Sequence, residues 1–173
     1  MKNIVLIGMS GTGKTTIGNK LSQLLNREFV DTDLLIENRL CMSIEEIFIE
    51  YGEEYFRNLE SKIIDEIGKS EDLVISTGGG IILREKNIIK LKEKGILILL
   101  ESSIENIIKN LERSSVVRPL INRGGDTYKE VENMYNTRKD LYHIAADYIV
   151  QVDNKSIDKI AYEILGIYSK INS

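Results

Sequence analysis

Cysteine, histidine and proline are nearly missing from this sequence. Its 173 residues hold one of each, Cys41, His143 and Pro119, and no tryptophan. A lone cysteine excludes an internal disulfide and a metal site built from cysteines. A lone histidine excludes a multi-histidine centre. Long apolar runs are missing too. The longest, "ILILL" at 96–100, falls far short of the roughly 20 residues that a membrane-spanning helix needs. The start "MKNIVLIG" pairs a lysine with an apolar patch, but Gly8 interrupts it too soon for a signal peptide. Nor does one charge dominate: Lys and Arg number 23, Asp and Glu 27, and the formal net charge is −4. The basic footprint of a nucleic-acid binder is absent. These absences lead us to expect a soluble cytoplasmic protein that binds neither nucleic acid nor membrane.

What is present is a core. Hydrophobic residues make up 42% of a length that fits one domain, residues 1–173. Apolar runs alternate with helical periodicity. "NIVLIG" reads as a buried strand, and Ile17, Leu21, Leu24 and Leu25 recur at helical spacing between Lys14 and about Asn26. "REFVDTD" reads as a second strand ending on acids. "SIEEIF" opens a helix with the capping-box pair Ser43 and Glu46, and the pattern runs to about Ile67. "DLVIST" is a third strand, stopped by glycines 78–80. "NIIKLKEKG" is a helix ending on Gly95, "ILILL" a fourth strand and "SIENIIKNLER" a helix. Residues 127–143 are helical, "DYIVQV" is a fifth strand, and a helix closes the chain. The order predicts an α/β fold of three layers, a five-stranded parallel sheet with helices on both faces. Ligands of such sheets sit beyond the carboxyl ends of the strands. "GMSGTGKT", "DTD" and "TGGG" all come directly after strands, so all three are expected to open onto one crevice.

Gly8, Gly13, Lys14 and Thr15 satisfy G-x-x-x-x-G-K-[ST], with a strand before and an amphipathic helix after. Glycines let backbone N–H groups turn inward around phosphate oxygens, and the helix N-terminus adds its positive end. Gly11, Thr12, Gly13, Lys14, Thr15 and Thr16 are therefore the expected nucleotide cradle. Lys14 would reach the β- and γ-phosphates and Thr15 would ligate Mg²⁺. A P-loop alone leaves the acceptor open.

Five segments downstream of the P-loop bear on the acceptor: "DTD" (31–33), "FRNLE" (56–60), "TGGG" (77–80), "RPL" (118–120) and "RKDLY" (138–142). In that order and spacing, along nearly the whole chain, the sequence resembles the shikimate kinases. The resemblance implies a nucleoside-monophosphate-kinase-like fold with a mobile lid, and phosphoryl transfer from ATP, with Mg²⁺, to the 3-hydroxyl of shikimate in aromatic amino-acid biosynthesis. The residues suit that chemistry. A ring with one carboxylate and three hydroxyls needs cations that grip a planar carboxylate, and Arg57 and Arg138 can do so bidentately. Glu60, three residues after Arg57 on a helix, can hold that arginine's rotamer. Asp33 suits the reacting hydroxyl as acceptor or base, and Asp31 the metal side. The two acids, one residue apart, are expected to serve the two roles separately. Gly78, Gly79 and Gly80 let backbone approach the ring, with Gly79 the expected contact. Residues 114–126 form the expected lid, from which Arg118 would reach the transferring phosphoryl group. Arg113 and Lys155 are expected beside the adenine.

The stretch after Tyr142 is "HIAAD", without the family's common acid, and the adenine-side stretch "VQVDNKSID" lacks its usual proline. His143 reads as a helix-end surface residue, Cys41 as a small packing hydrophobe, and Glu53 with Glu54 as a solvated face. Two other functions compete. A gluconate kinase would share the P-loop but not the downstream motifs. A guanine-nucleotide switch needs N-K-x-D, and in "NKSID" the acid falls one residue late.

Overall fold

The computed structural model describes residues 1–114 and 126–171. Five strands form one parallel sheet: β1 Asn3–Ile7, β2 Phe29–Asp31, β3 Val74–Ser76, β4 Gly95–Glu101 and β5 Tyr148–Gln151. Their order across the sheet is β2-β3-β1-β4-β5, and every pairing is parallel. Seven α-helices are seen among the described residues: α1 Lys14–Leu25, α2 Thr32–Leu40, α3 Ile44–Ile67, α4 Glu85–Lys94, α5 Ile104–Arg113, α6 Thr127–Ala145 and α7 Ile157–Ile171.

Alternation along the strands explains the layers. Val5, Ile7, Ile75, Leu97 and Leu99 join one core cluster, together with Ile64, Leu91, Ile107, Val131 and Tyr142 from α3, α4, α5 and α6. Ile4, Leu6, Val74, Ile96, Ile98 and Leu100 point the other way and meet Ile17, Leu21, Ile160 and Ile164 of α1 and α7. Both sides of β1 and β4 are thus apolar, as a parallel sheet covered on two faces requires. A third cluster, Ile36, Ile47, Phe56 and Ile63, joins α2 to α3 beyond the sheet edge.

Three local readings are corrected. The chain does not stay extended through Asp33: α2 begins at Thr32, with Asp31 as its N-cap. The helix from Ile44 is broken at Gly52, where φ is 82° and ψ 171°, a conformation that glycine adopts without strain. Cys41 does not pack inside. It is exposed and ends α2 in the left-handed region, φ 52°. The capping box of Ser43 and Glu46 is formed as read. Of the expected lid, 114–126, residues 115–125 with Arg118, Pro119, Gly124 and Gly125 lie outside the described residues. No helix among those described is long and apolar enough to cross a membrane.

Candidate active site

The loop after β1 is shaped by three glycines. Gly8, Gly11 and Gly13 have φ of 140°, 88° and 89°, values that a side chain would strain. At Gly11 the space is closed as well, because a Cβ would stand 3.0 Å from the Ile107 carbonyl oxygen. The loop is tied down by Thr12 Oγ1, which donates to Met9 O across 2.9 Å, and by Asn110 Nδ2 of α5, which donates to Gly11 O across 2.8 Å. Lys14 lies in the first turn of α1 and is 7% exposed. Its Nζ donates to Gly8 O and Met9 O, both at 2.8 Å, so the ammonium sits inside the curl of the loop.

The loop opens onto a cleft of about 620 Å³ at the carboxyl ends of β1, β2 and β3. Every residue expected of the cradle, Gly11, Thr12, Gly13, Lys14, Thr15 and Thr16, lines it, as do Asp31, Asp33 and Gly79. The single crevice read from the sequence is therefore present. On its other flank stand Leu111, Ser114, Val152, Asn154, Lys155 and Ile157. The resemblance pointed to Arg113 there; Arg113 is exposed at the end of α5, and its neighbours Leu111 and Ser114 take the lining positions. Lys155 lines the cleft and is paired with Glu163 at 2.6 Å. Asn110 and the apolar wall were not foreseen; apolar residues in a helical repeat carry no mark of facing a ligand.

Asp31 and Asp33 would share a face in an extended strand, and they diverge because α2 starts between them, at Thr32. Asp31 caps α2: its Oδ1 accepts from Asp33 N at 3.1 Å and Leu34 N at 3.3 Å. Its Oδ2 accepts from Thr15 Oγ1 at 2.7 Å. Asp33 lies in the first helical turn and turns toward Gly78, whose Cβ, if present, would be 2.5 Å from Asp33 Oδ1. A hydroxyl and a carboxylate side by side at the mouth of a phosphate loop are hard oxygen donors. They fit Mg²⁺, which binds through one or two protein oxygens, substrate phosphates and water.

Beyond Gly79 lies a buried cluster of charges. Arg57 and Glu60 are 6% and 1% exposed and meet at 2.5 Å, Nη1 to Oε2. Burial pushes the Glu60 carboxyl above its usual range, while the guanidiniums of Arg57, Arg138 and Arg84 pull it back. Glu53 also binds Arg57, at 3.1 Å, and Glu54 binds Arg84 at 2.6 Å, so this pair is not simply a solvated face. Arg84 donates to Arg57 O at 2.9 Å, a bond to the α3 turn that carries Arg57. Arg138 is 8% exposed, and its Nη1 donates to Gly79 O at 3.4 Å. Both arginines are brought to the glycine run, behind the cleft lining rather than on it.

Two of the glycines also answer a packing demand within the protein. A Cβ on Gly78 would strike Asp33 Oδ1 and Glu60 Oε1, and one on Gly80 would fall 2.5 Å from Arg57 Cζ. The missing side chains make room for the protein's own charged groups; only Gly79 lines the cleft. Arg118 lies outside the described residues. His143 is a partly exposed helix-end residue, as expected, and lies 2.5 Å from Glu101.

Comparison with known proteins gives the same outline. The shikimate kinase family model matches residues 10–168. The shikimate kinase of Caldanaerobacter subterraneus subsp. tengcongensis is 40% identical over 171 residues, 99% of this chain and 98% of that one. The structure of shikimate kinase from Acinetobacter baumannii in complex with shikimate superimposes with a TM-score of 0.93 at 32% identity, covering 98% of this chain and 94% of that one. A gluconokinase from Sinorhizobium meliloti 1021 covers 98% of this chain and 93% of its own with a TM-score of 0.65, but at 15% identity it shares the fold alone. With its P-loop, its paired aspartates and its buried arginines in that frame, the chain belongs to the shikimate kinase family.

Proposed function

We propose that this protein transfers the terminal phosphoryl group of ATP to the 3-hydroxyl of shikimate. The observation that carries the reading is the convergence on one cleft of a P-loop and of Asp33 beside the glycine run that holds Arg57 and Arg138. Phosphoryl transfer asks a protein mainly for positioning and charge neutralisation. Lys14 takes the β- and γ-phosphates with the loop amides, and Arg118 supplies further positive charge to the transferring group. Thr15 and Asp31 hold Mg²⁺, which neutralises phosphate charge when bound. Arg57 and Arg138 grip the shikimate carboxylate. That leaves the ring hydroxyls facing Asp33, which orients the 3-hydroxyl and accepts its proton. The adenine lies against Leu111, Val152 and Ile157, with Lys155 at its edge. A single domain acting as a cytoplasmic monomer on small molecules, without nucleic acid or membrane, belongs to the same reading.

The test is ATP consumption, in a coupled assay with Mg²⁺, offered shikimate, quinate, gluconate or no acceptor. Shikimate should give the highest kcat/KM by at least about a hundredfold, the contribution of one charge-assisted hydrogen bond or more. Equal or faster turnover with gluconate would assign the chain to another small-metabolite kinase. A GTP preference without acceptor turnover would favour a nucleotide switch.

A further inference from the structure

Tyr142 ends the "RKDLY" segment and has no part in the proposed phosphoryl transfer. It stands four residues after Arg138 on α6, one turn along the same helix face. It is 2% exposed, and its ring belongs to the core cluster of Met9, Leu99, Ile107 and Val131. Packing accounts for the ring but not for the hydroxyl, since phenylalanine would fill the same space. The hydroxyl donates a short hydrogen bond to Gly79 O. Arg138 Nη1 donates to that same carbonyl at 3.4 Å, beyond the ordinary range for N–H···O. One carbonyl, on a residue at the cleft wall that is only partly buried, thus has two donors of unequal quality, and the better one is a neutral phenol. Burial pushes this phenol up to about 12, with Arg138 pulling it back, so it remains a donor at any working pH.

We propose that Tyr142 is a positioning residue for the acceptor site: by satisfying the Gly79 carbonyl, it keeps the Arg138 guanidinium from closing on that carbonyl and so leaves it available to the acceptor's carboxylate. The inference rests on the proposed acceptor. A backbone carbonyl takes a protein donor where one is within reach. Without the phenol, the donor already turned to it is Arg138 Nη1. The guanidinium would move in from 3.4 Å and spend one face of its fork on Gly79. A bidentate grip on a carboxylate needs both N–H groups of that fork in one plane, so the grip would weaken. Chemistry at the hydroxyl and binding of ATP would be untouched.

Tyr142→Phe removes only the oxygen and retains the ring. Steady-state kinetics and calorimetric titration should show KM and Kd for shikimate rising roughly three- to tenfold, a partial loss of one charge-assisted hydrogen bond. The kcat should stay within about twofold, and KM for ATP should not move. In an Arg138→Ala background, adding Tyr142→Phe should change shikimate affinity by less than about twofold, because no guanidinium is left to divert. The proposal is overturned if Tyr142→Phe leaves shikimate affinity unchanged. It is equally overturned if the loss is the same with and without Arg138, or if ATP and shikimate affinities fall together with the melting temperature. Wild-type protein that neither binds nor phosphorylates shikimate would be a different failure, that of the acceptor assignment itself.

Discussion

Thr15 Oγ1 donates to Asp31 Oδ2 across 2.7 Å, joining the first turn of α1 to the end of β2. The other oxygen of the same carboxylate accepts from Asp33 N and Leu34 N and caps α2. One residue therefore closes the proposed metal side of the cleft and starts the helix that carries Asp33. The two tasks have different chemical needs: the cap needs an acceptor oxygen, the metal a charge.

Asp31→Asn separates them. Asparagine caps helices about as well as aspartate, so the melting temperature should stay within a degree or two. The Mg²⁺ concentration for half-maximal activity should rise about tenfold. Asp31→Ala loses the cap as well, worth about 1 kcal/mol, and should also melt lower. An unchanged Mg²⁺ titration for the asparagine variant would move the metal elsewhere.

The glycine run gives a second pair of contrasting variants. In Gly80→Ala the new Cβ displaces the guanidinium of Arg57, the far end of a flexible side chain. The fold should survive, and KM for shikimate should rise about tenfold or more with a smaller change in kcat, since a charge-assisted contact is misaligned. In Gly78→Ala the Cβ meets Asp33 Oδ1 at 2.5 Å, so kcat should fall more than shikimate affinity. Steady-state kinetics on the two decide it; matching signatures would mean that Asp33 and Arg57 are not on separate tasks.

These glycines also mark the limit of what the sequence made legible. Strands and layers were legible because buried parallel strands are nearly all apolar and helices repeat at 3.6 residues, and the P-loop was legible because its shape demands glycine at fixed positions. Helix α2 was not, because Asp31 is at once the last strand residue and the helix cap, leaving no loop to mark the change. The clue was there: an Asx cap shortly before Leu34, Leu35 and Ile36. The break at Gly52 hid inside an otherwise continuous helical pattern. What Gly78 and Gly80 accommodate depends on side chains arriving from residues 33, 57 and 60, and local sequence carries no such distances. Tyr142 stood out only as part of a motif, since a tyrosine on a helix looks like core until its hydroxyl partner is seen.

Asp153 supports a prediction about acid. Its carboxylate accepts from Ser102 Oγ at 2.5 Å, Ser103 N at 2.9 Å and Asn106 Nδ2 at 3.1 Å, tying the loop after β5 to the start of α5. Burial pushes this carboxyl up, but the hydrogen bonds outweigh it and hold it below the usual range. A depressed value in the folded state means stability that is present above the unfolded value and is lost as pH falls through the folded one. Wild type should therefore melt above Asp153→Asn at pH 7, and the gap should close once pH drops below the ordinary aspartate range near 3.8. Melting curves across that range check it; a gap that persists undiminished in acid would mean that the charge on Asp153 does not support this junction.

The last prediction concerns Asp33. Its carboxylate lies in the first turn of α2, beside Gly78 and lining the cleft that also holds Lys14. Asparagine there keeps the size and one acceptor oxygen, and it leaves the Asp31 cap alone. It removes the charge that, on the proposed reading, draws the proton from the acceptor hydroxyl. A positioned base contributes about a hundred- to ten-thousandfold to rate, so kcat of Asp33→Asn should fall by that order. The P-loop and Thr15 do not depend on position 33, so ATP affinity, followed by calorimetry without shikimate, should stay within about twofold. Shikimate affinity should change modestly, because Arg57 and Arg138 still hold the carboxylate. Lys14→Met is the matching control: it should abolish turnover by removing charge from the phosphates while shikimate still binds. Should Asp33→Asn retain full kcat, the acceptor hydroxyl does not face this residue. Should it instead alter Mg²⁺ dependence and spare the rate at saturating metal, the two aspartates have exchanged roles.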